Sequence, residues 1–364
     1  MQNTSNTNLN SEAVDHDRRG FLEATGAGLV ALASSSLLIS SNAKAQTMTE
    51  SWDKTFPKSD AVSHQKVSFK NRYGIELVGD LYSPLDAADG KRPAIAVAGP
   101  FGAVKEQSSG LYAQTMAERG FITLAFDPSY TGESGGAPRN IASPDINVED
   151  FSAAVDFLGI QSNVDRQNIG ALGVCGWGGM ALSAAAMDTR IKAVVTSTMY
   201  DMTRVISQGY YDSVTPEQRV AMRAQMNEQR WADAETGETA YGPVSLELSG
   251  DEPQFVVEYA DYYKTDRGFH PRSVNSNASW ALTSSLPFTN FPILTYIDEI
   301  SPRPILLVHG SNAHSRYFSE TAYEAASEPK ELLIVEGANH TDLYDQVDLI
   351  PFDRIEAFFA EQLS

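Results

Sequence analysis

The chain has 364 residues, a formal net charge of −20 and one cysteine. Such acidity argues against nucleic acid or an anionic membrane as partner, and one thiol excludes an internal disulfide framework. The length suits one large α/β domain carrying an insertion. At the N-terminal side, Asp17-Arg18-Arg19-Gly20-Phe21-Leu22-Glu23 is a twin-arginine pattern. A small-residue apolar stretch follows, and Ala43-Lys44-Ala45 offers an A-x-A cleavage site. The stretch is too short and too rich in Gly and Ser to remain in a membrane. Residues 1–45 therefore read as a Tat export signal, which places the rest in the periplasm or outside the cell. They carry four acidic and three basic residues, so the remainder keeps a charge of −19.

After residue 60 strands and helices alternate, which predicts a largely parallel sheet with crossover helices. Residues 62–69 and 76–82 read as an opening antiparallel pair. Residues 93–98 form an apolar strand ending in Gly99-Pro100-Phe101-Gly102. A helix is expected over 111–119, a buried strand over 121–126, and a helix over 148–158 capped by Asn147. Strands follow at 169–174 and 193–197. Further strands at 304–309 and 331–335 precede a closing helix over 355–363. Between residues 202 and 301 the alternation breaks down. Helical patterns at 216–234 and 254–263 are followed by a polar, aromatic stretch, too long for a structureless loop. This reads as a mainly helical cap inserted between core segments 46–201 and 302–364. Its aromatics, among them Trp231, Tyr259, Tyr262, Tyr263, Phe269, Trp280, Phe288 and Phe291, are expected mostly in its own core.

The cysteine lies in Gly173-Val174-Cys175-Gly176-Trp177-Gly178-Gly179, after the strand 169–174 and before the small-residue run at 180–186. Strand, glycine-flanked nucleophile and helix are the ingredients of a nucleophile elbow. A helix N-terminus behind the thiol lowers its pKa and favours an oxyanion. A lone cysteine is also a common small core residue, so the thiol needs a base. His340, in Gly337-Ala338-Asn339-His340 after the last strand, is placed to be one.

These segments together resemble the α/β-hydrolase superfamily, and within it the dienelactone-hydrolase-like and peptidase-S15-like bacterial branch. The likeness extends from about residue 62 to the C-terminus. It rests on Gly99 to Gly102 with Lys105-Glu106, on Asp127 to Gly136, on the Cys175 elbow, on His314 to Glu320 and on Gly337 to His340. Dienelactone hydrolases also carry a cysteine at the elbow. The resemblance implies an oxyanion hole from the backbone N–H groups of Gly176 and Phe101, since Pro100 has none. Two positions depart from the pattern. Trp177 stands where a glycine is usual, so the indole borders the pocket, or the helix starts with an extra residue, or Trp177 itself takes the apex. Ala313 stands where the acid is usual. Asp201 is then the expected orienting acid, with Asp342 or no acid as the alternatives, and His314 a possible pocket hydrogen-bonding group. His309 and His314 lack a carboxylate or thiol set, so no metal is expected, and no nucleotide-binding glycine motif implies a cofactor. The expected activity is hydrolysis of a small-molecule ester, lactone or thioester. Acyl transfer on the same site, or ligand binding without catalysis, remain the alternatives.

Overall fold

The computed structural model describes residues 52–85, 90–244 and 248–364. The export signal expected over residues 1–45 lies outside them. Strands β1 (Val62–Lys70) and β2 (Glu76–Pro84) pair antiparallel. Strand β3 (Arg92–Ala98) is followed by helix α1 (Ser108–Glu118) and strand β4 (Ile122–Phe126). Helix α2 (Pro144–Gly159), strand β5 (Val164–Val174), helix α3 (Gly176–Met187) and strand β6 (Ile191–Ser197) complete the first half. After a long helical excursion come β7 (Ile305–Gly310), a helix and β8 (Lys330–Val335). The eight strands form one sheet in the order β1-β2-β4-β3-β5-β6-β7-β8. From β4 through β8 all neighbours are parallel, and only the β1–β2 and β2–β4 pairs are antiparallel.

The strand sequences account for this arrangement. In β3 the run Ala94 to Ala98 is buried on both faces, as a strand between two helical layers must be. In β1 buried and exposed positions largely alternate, as they do at an edge with one wet face. Helix α2 begins one turn earlier than Asn147 suggests. Ser143 occupies the cap and Pro144 the first turn, where its fixed φ suits a helix start and its missing N–H costs nothing. Asn147 instead lies inside that first turn, accepting from the Ser143 N–H at 2.9 Å.

Between β6 and β7 lie α4 (Met202–Gln208), α5 (Pro216–Thr236), α6 (Gln254–Lys264) and the single turn α7 (Val274–Asn277). Their aromatics divide by exposure. Tyr262, Tyr263 and Phe288 are buried, whereas Trp231 is 66% exposed and Phe269 and Phe291 are exposed as well. Trp231, Phe269 and Phe291 therefore do not belong to a core. Trp231 lies on α5, which has no buried residue.

One charged cluster lies deep in the molecule. The Lys105 ammonium, fully buried, contacts Glu106 at 2.6 Å, Asp127 at 3.1 Å and Glu133 at 2.5 Å. Arg272 from the excursion reaches Glu106 and Asp53, each at 2.7 Å. Glu133 thus supports the loop after β3 through Lys105. Removing one member of such a buried set leaves charge uncompensated. Lys105→Met should therefore lose about 3–5 kcal/mol of unfolding free energy at neutral pH, read from the midpoint of urea unfolding. A loss under about 1 kcal/mol would mean the cluster behaves as a surface network.

Candidate active site

Cys175 sits between β5 and α3 with φ 56° and ψ −127°, a conformation sparsely populated by any residue with a Cβ. Its neighbours make the turn possible. A Cβ at Gly173 would lie 2.1 Å from the Trp177 carbonyl oxygen, and one at Gly176 would lie 2.8 Å from the Phe101 Cβ. Strand and helix therefore cross with no side chain between them. The turn aims the thiol at the loop after β3. Hydrogen bonding from the backbone N–H groups of Phe101 and Gly176 favours the thiolate form of Cys175. The Phe101 loop is clamped from the excursion: Asn275 donates to the Phe101 carbonyl at 2.8 Å and Ser273 to the Gly102 carbonyl at 2.9 Å.

Trp177 does not take the apex, which Cys175 holds. It is 2% exposed and packs against Phe126 and Phe151, with ring centroids at 6.2 and 5.9 Å. Its indole also borders a small space shared with Phe101 and Trp280, of about 10 Å³, room for at most one water. The Trp177 side chain turns toward α2, where large apolar neighbours accept it.

His340 is fully buried beside the elbow. Its Nε2 lies 2.9 Å from the Tyr344 hydroxyl. Its Nδ1 lies 2.8 Å from Thr198 Oγ1 and 2.5 Å from Ser315 Oγ. No carboxylate takes that place. Asp201 caps α4, accepting from the Arg204 N–H at 2.9 Å and the Thr203 hydroxyl at 2.6 Å. Asp342 accepts from the Asn339 N–H at 2.9 Å and from Gln346 at 2.8 Å. Asp201 as orienting acid is thus corrected, because unpaired N–H groups at a helix start claim a nearby carboxylate first. The groups facing His340 are hydroxyls, backed by a second imidazole. His309 Nε2 lies 2.9 Å from Ser315 Oγ, and its Nδ1 lies 2.7 Å from Ser319 Oγ.

Thr198 reaches His340 because it has φ 47°, a left-handed conformation rare for a β-branched residue. Tyr112 anchors the other side, its hydroxyl donating to the Leu343 carbonyl at 2.8 Å in α9 (Asp342–Asp345). That turn carries Tyr344. His314 stands beside His340 with ring centroids 5.1 Å apart, and its Nε2 meets the Tyr200 hydroxyl at 2.5 Å. The rings of Tyr200 and Tyr259 flank His340 at 5.2 and 5.4 Å.

The site is dry. Cys175 is 6% exposed, and burial pushes its thiol pKa up, against the lowering from Tyr344, Phe101 and Gly176 hydrogen bonds. This reverses the direction expected from the helix N-terminus alone, since desolvation disfavours the thiolate. Tyr344, Thr198, Ser315 and His309 were not legible as site residues. The one local hint was Tyr344, four residues past His340 and so one helical turn away.

Comparison with known proteins gives this geometry a family context. A family model described as PET hydrolase-like matches residues 42–217. Protein PA2218 of Pseudomonas aeruginosa is 68% identical over 316 residues, covering 87% of this chain and 85% of that protein. Its crystal structure superimposes with a TM-score of 0.85 at 67% identity, over 88% of this chain and 100% of that one. The thiohydrolase aneE of Aspergillus aculeatus is 26% identical over 287 residues, covering 77% of this chain and 87% of that protein. The α/β hydrolase GrgF of Penicillium sp. sh18 shares the fold, with a TM-score of 0.68 at 23% identity over 83% of this chain and 99% of its own.

Burial fixes the protonation of the imidazoles. It pushes His309 and His314 down to about 3, and holds His340 well below its ordinary value, with His314 and His309 adding like-charge repulsion. In the unfolded chain each ring takes up a proton near pH 6.5. The unfolded state then binds more protons, so their contribution to stability is present above about 6.5 and is lost as pH falls. Asp127 and Asp150, both pushed up to about 6 by burial, act in the opposite sense between about pH 6 and 4. Imidazole nitrogen shifts separate the two effects. His309, His314 and His340 should remain neutral from pH 8 to about pH 5, and a His340 titration near 6.5 would contradict the buried, uncharged site.

Proposed function

Because the chain belongs to the α/β hydrolases, in one family with PA2218 of Pseudomonas aeruginosa, we propose that it cleaves a neutral ester, lactone or thioester with Cys175 as nucleophile. The observation that carries this reading is the convergence on one thiol of a strained elbow and two backbone N–H groups, from Phe101 and Gly176. The sulfur attacks the carbonyl carbon, and the carbonyl oxygen becomes an oxyanion held by those two N–H groups. His340 takes up the thiol proton and returns it to the leaving group. A water activated by His340 then releases the acyl group from sulfur.

Substrate chemistry follows from the walls. Around Cys175 and His340 gather the phenols of Tyr200, Tyr259, Tyr263 and Tyr344, and among the described residues no ammonium, guanidinium or carboxylate is hydrogen-bonded to the imidazole. A charged substrate group would be stripped of water there without an ion to meet it. A neutral acyl group suits the site, and the relative named as a thiohydrolase supports a sulfur-linked acyl bond among the candidates. The cysteine at the elbow supports the nearer likeness to dienelactone hydrolases. The dryness that suits hydrolysis by one ordered water also suits transfer to an alcohol or amine, which is the second reading.

Intact mass after exposure to a panel of activated esters and thioesters tests the nucleophile. An acyl adduct should form and should vanish in Cys175→Ala, and its partition between water and added alcohols or amines separates hydrolase from transferase. Absence of any adduct would remove Cys175 from the chemistry. Within the same assay Ser315→Ala should lower turnover at least about tenfold, about 1.4 kcal/mol of transition-state stabilisation. Asp201→Ala should instead cost about 1 kcal/mol of stability through the lost cap, with turnover nearly unchanged. The reverse ranking would restore Asp201 as the orienting acid.

We also propose export by the twin-arginine route, supported by the order of arginine pair, apolar stretch and A-x-A site in residues 1–45. A reporter fused to those residues should reach the periplasm of Tat-competent cells, and changing Arg18 and Arg19 together to Lys should stop it. Export that survives the double change would point to another route.

A further inference from the structure

A cavity of about 360 Å³ opens along one face of α1. Ser108, Leu111, Thr115 and Glu118 line it at spacings of three and four residues, one stripe of a helix about 15 Å long. The facing walls are Phe56 of the N-terminal segment, Tyr262 of α6, Tyr344 of α9 and Val347 just beyond it. Phe56 lies close because α1 has a glycine beneath it: a Cβ at Gly110 would stand 2.8 Å from the Phe56 ring. Neither Cys175 nor His340 lines the cavity. Its volume is that of a small-molecule site.

The two ends differ in chemistry. Ser108 and Tyr262 are 1% and 0% exposed, and neither hydroxyl has a hydrogen-bond partner. Ser108 also opens α1, and the cap residue Gln107 offers the first turn no side-chain acceptor. The free N–H groups of that turn therefore belong to the same end. Leu111 and Phe56 make an apolar middle. At the outer end Val347 and Glu118 are exposed. Asp345 lines the cavity too, but Arg267 engages both its oxygens, at 2.7 and 2.9 Å. Among the described residues no lysine, arginine or histidine lines the space, so Glu118 is the charge left at its mouth.

We propose that this cavity is a binding site for a small neutral carbonyl compound, an amide or ester with an apolar body, separate from the site at Cys175. A buried hydroxyl without a partner costs free energy, which an acceptor on a ligand recovers. A carbonyl oxygen has two lone pairs and no proton, so it accepts from Ser108 and Tyr262 and leaves no donor of its own unmet. Leu111 and Phe56 cover the apolar body. A carboxylate would lose its water with no cation to meet it, and would pass Glu118 on the way in. The site stands whether or not Cys175 is a nucleophile.

The test uses the whole protein, with leucine and valine methyl groups labelled for NMR, and N-benzylacetamide as probe. The Leu111 and Val347 methyl signals should shift saturably with the amide. Phenylacetate, of similar shape but charged, should leave them unmoved at the same concentration. Tyr262→Phe and Ser108→Ala each remove one donor and should each weaken binding about fivefold, with circular dichroism melting near that of the wild type. Should one variant fail to fold, the other carries the comparison. Methyl signals that do not respond to the amide, shifts as large with phenylacetate, or an unchanged affinity in a folded variant would each overturn the site as proposed.

Discussion

The close crossing of β5 and α3 at Cys175 is the constraint on which the rest of the site depends. Helix α3 can start directly after the strand only because Gly173 and Gly176 put no Cβ where backbone and the Phe101 side chain already stand. The turn that results holds Cys175 at positive φ and lifts its thiol out of the sheet toward the Phe101 loop. The same crossing sends Trp177 away from the site and into the core between Phe126 and Phe151. An unusual residue two places after Cys175 is therefore accommodated by packing rather than by opening the elbow. Strain of this kind persists only when neighbouring structure determines it from several sides.

The second governing fact is the absence of charge around a thiol and an imidazole that are both buried. Without a facing ion, burial keeps the thiol protonated and the imidazole neutral, so the resting site holds no thiolate–imidazolium pair. Under the chemistry proposed for Cys175, charge has to be created during the reaction. That explains why hydroxyls crowd the imidazole: Thr198 and Ser315 satisfy Nδ1 without the fixed negative charge that would raise the ring's pKa. Thr198 is held in a left-handed conformation to do so. The phenols of Tyr200, Tyr259, Tyr263 and Tyr344 extend the same logic, since each supplies apolar bulk and one polar tip.

Charge is present elsewhere, as the cluster around Lys105. Its members come from the loop after β3, from the end of β4, from the N-terminal segment at Asp53 and from the excursion at Arg272. It ties the loop that carries Phe101 to the segment that covers Cys175. Asn275 and Ser273 reinforce that tie through the Phe101 and Gly102 carbonyls. Placement of the Phe101 backbone is thus set by residues of the excursion as well as by its own loop.

The sequence by itself determined what depends on near neighbours. Apolar runs of strand length, the helical patterns between them and the glycines around Cys175 act within a few residues of one another, and the α/β sheet and the elbow follow from them. Even His340 was legible, because its place after the last strand is a matter of chain order. The orienting group of His340 was not. Asp201 looked available in the chain, but its own helix start, with the Arg204 N–H and Thr203 hydroxyl, holds it two to three residues away. Thr198, Ser315, His309 and Tyr344 come from the end of β6, the turn after β7, β7 itself and α9. Only the packed sheet brings these four segments to one imidazole. Hydroxyl side chains carry no sequence mark of such a role, since each finds a partner almost anywhere, and which partner it finds is decided when burial removes water as the alternative.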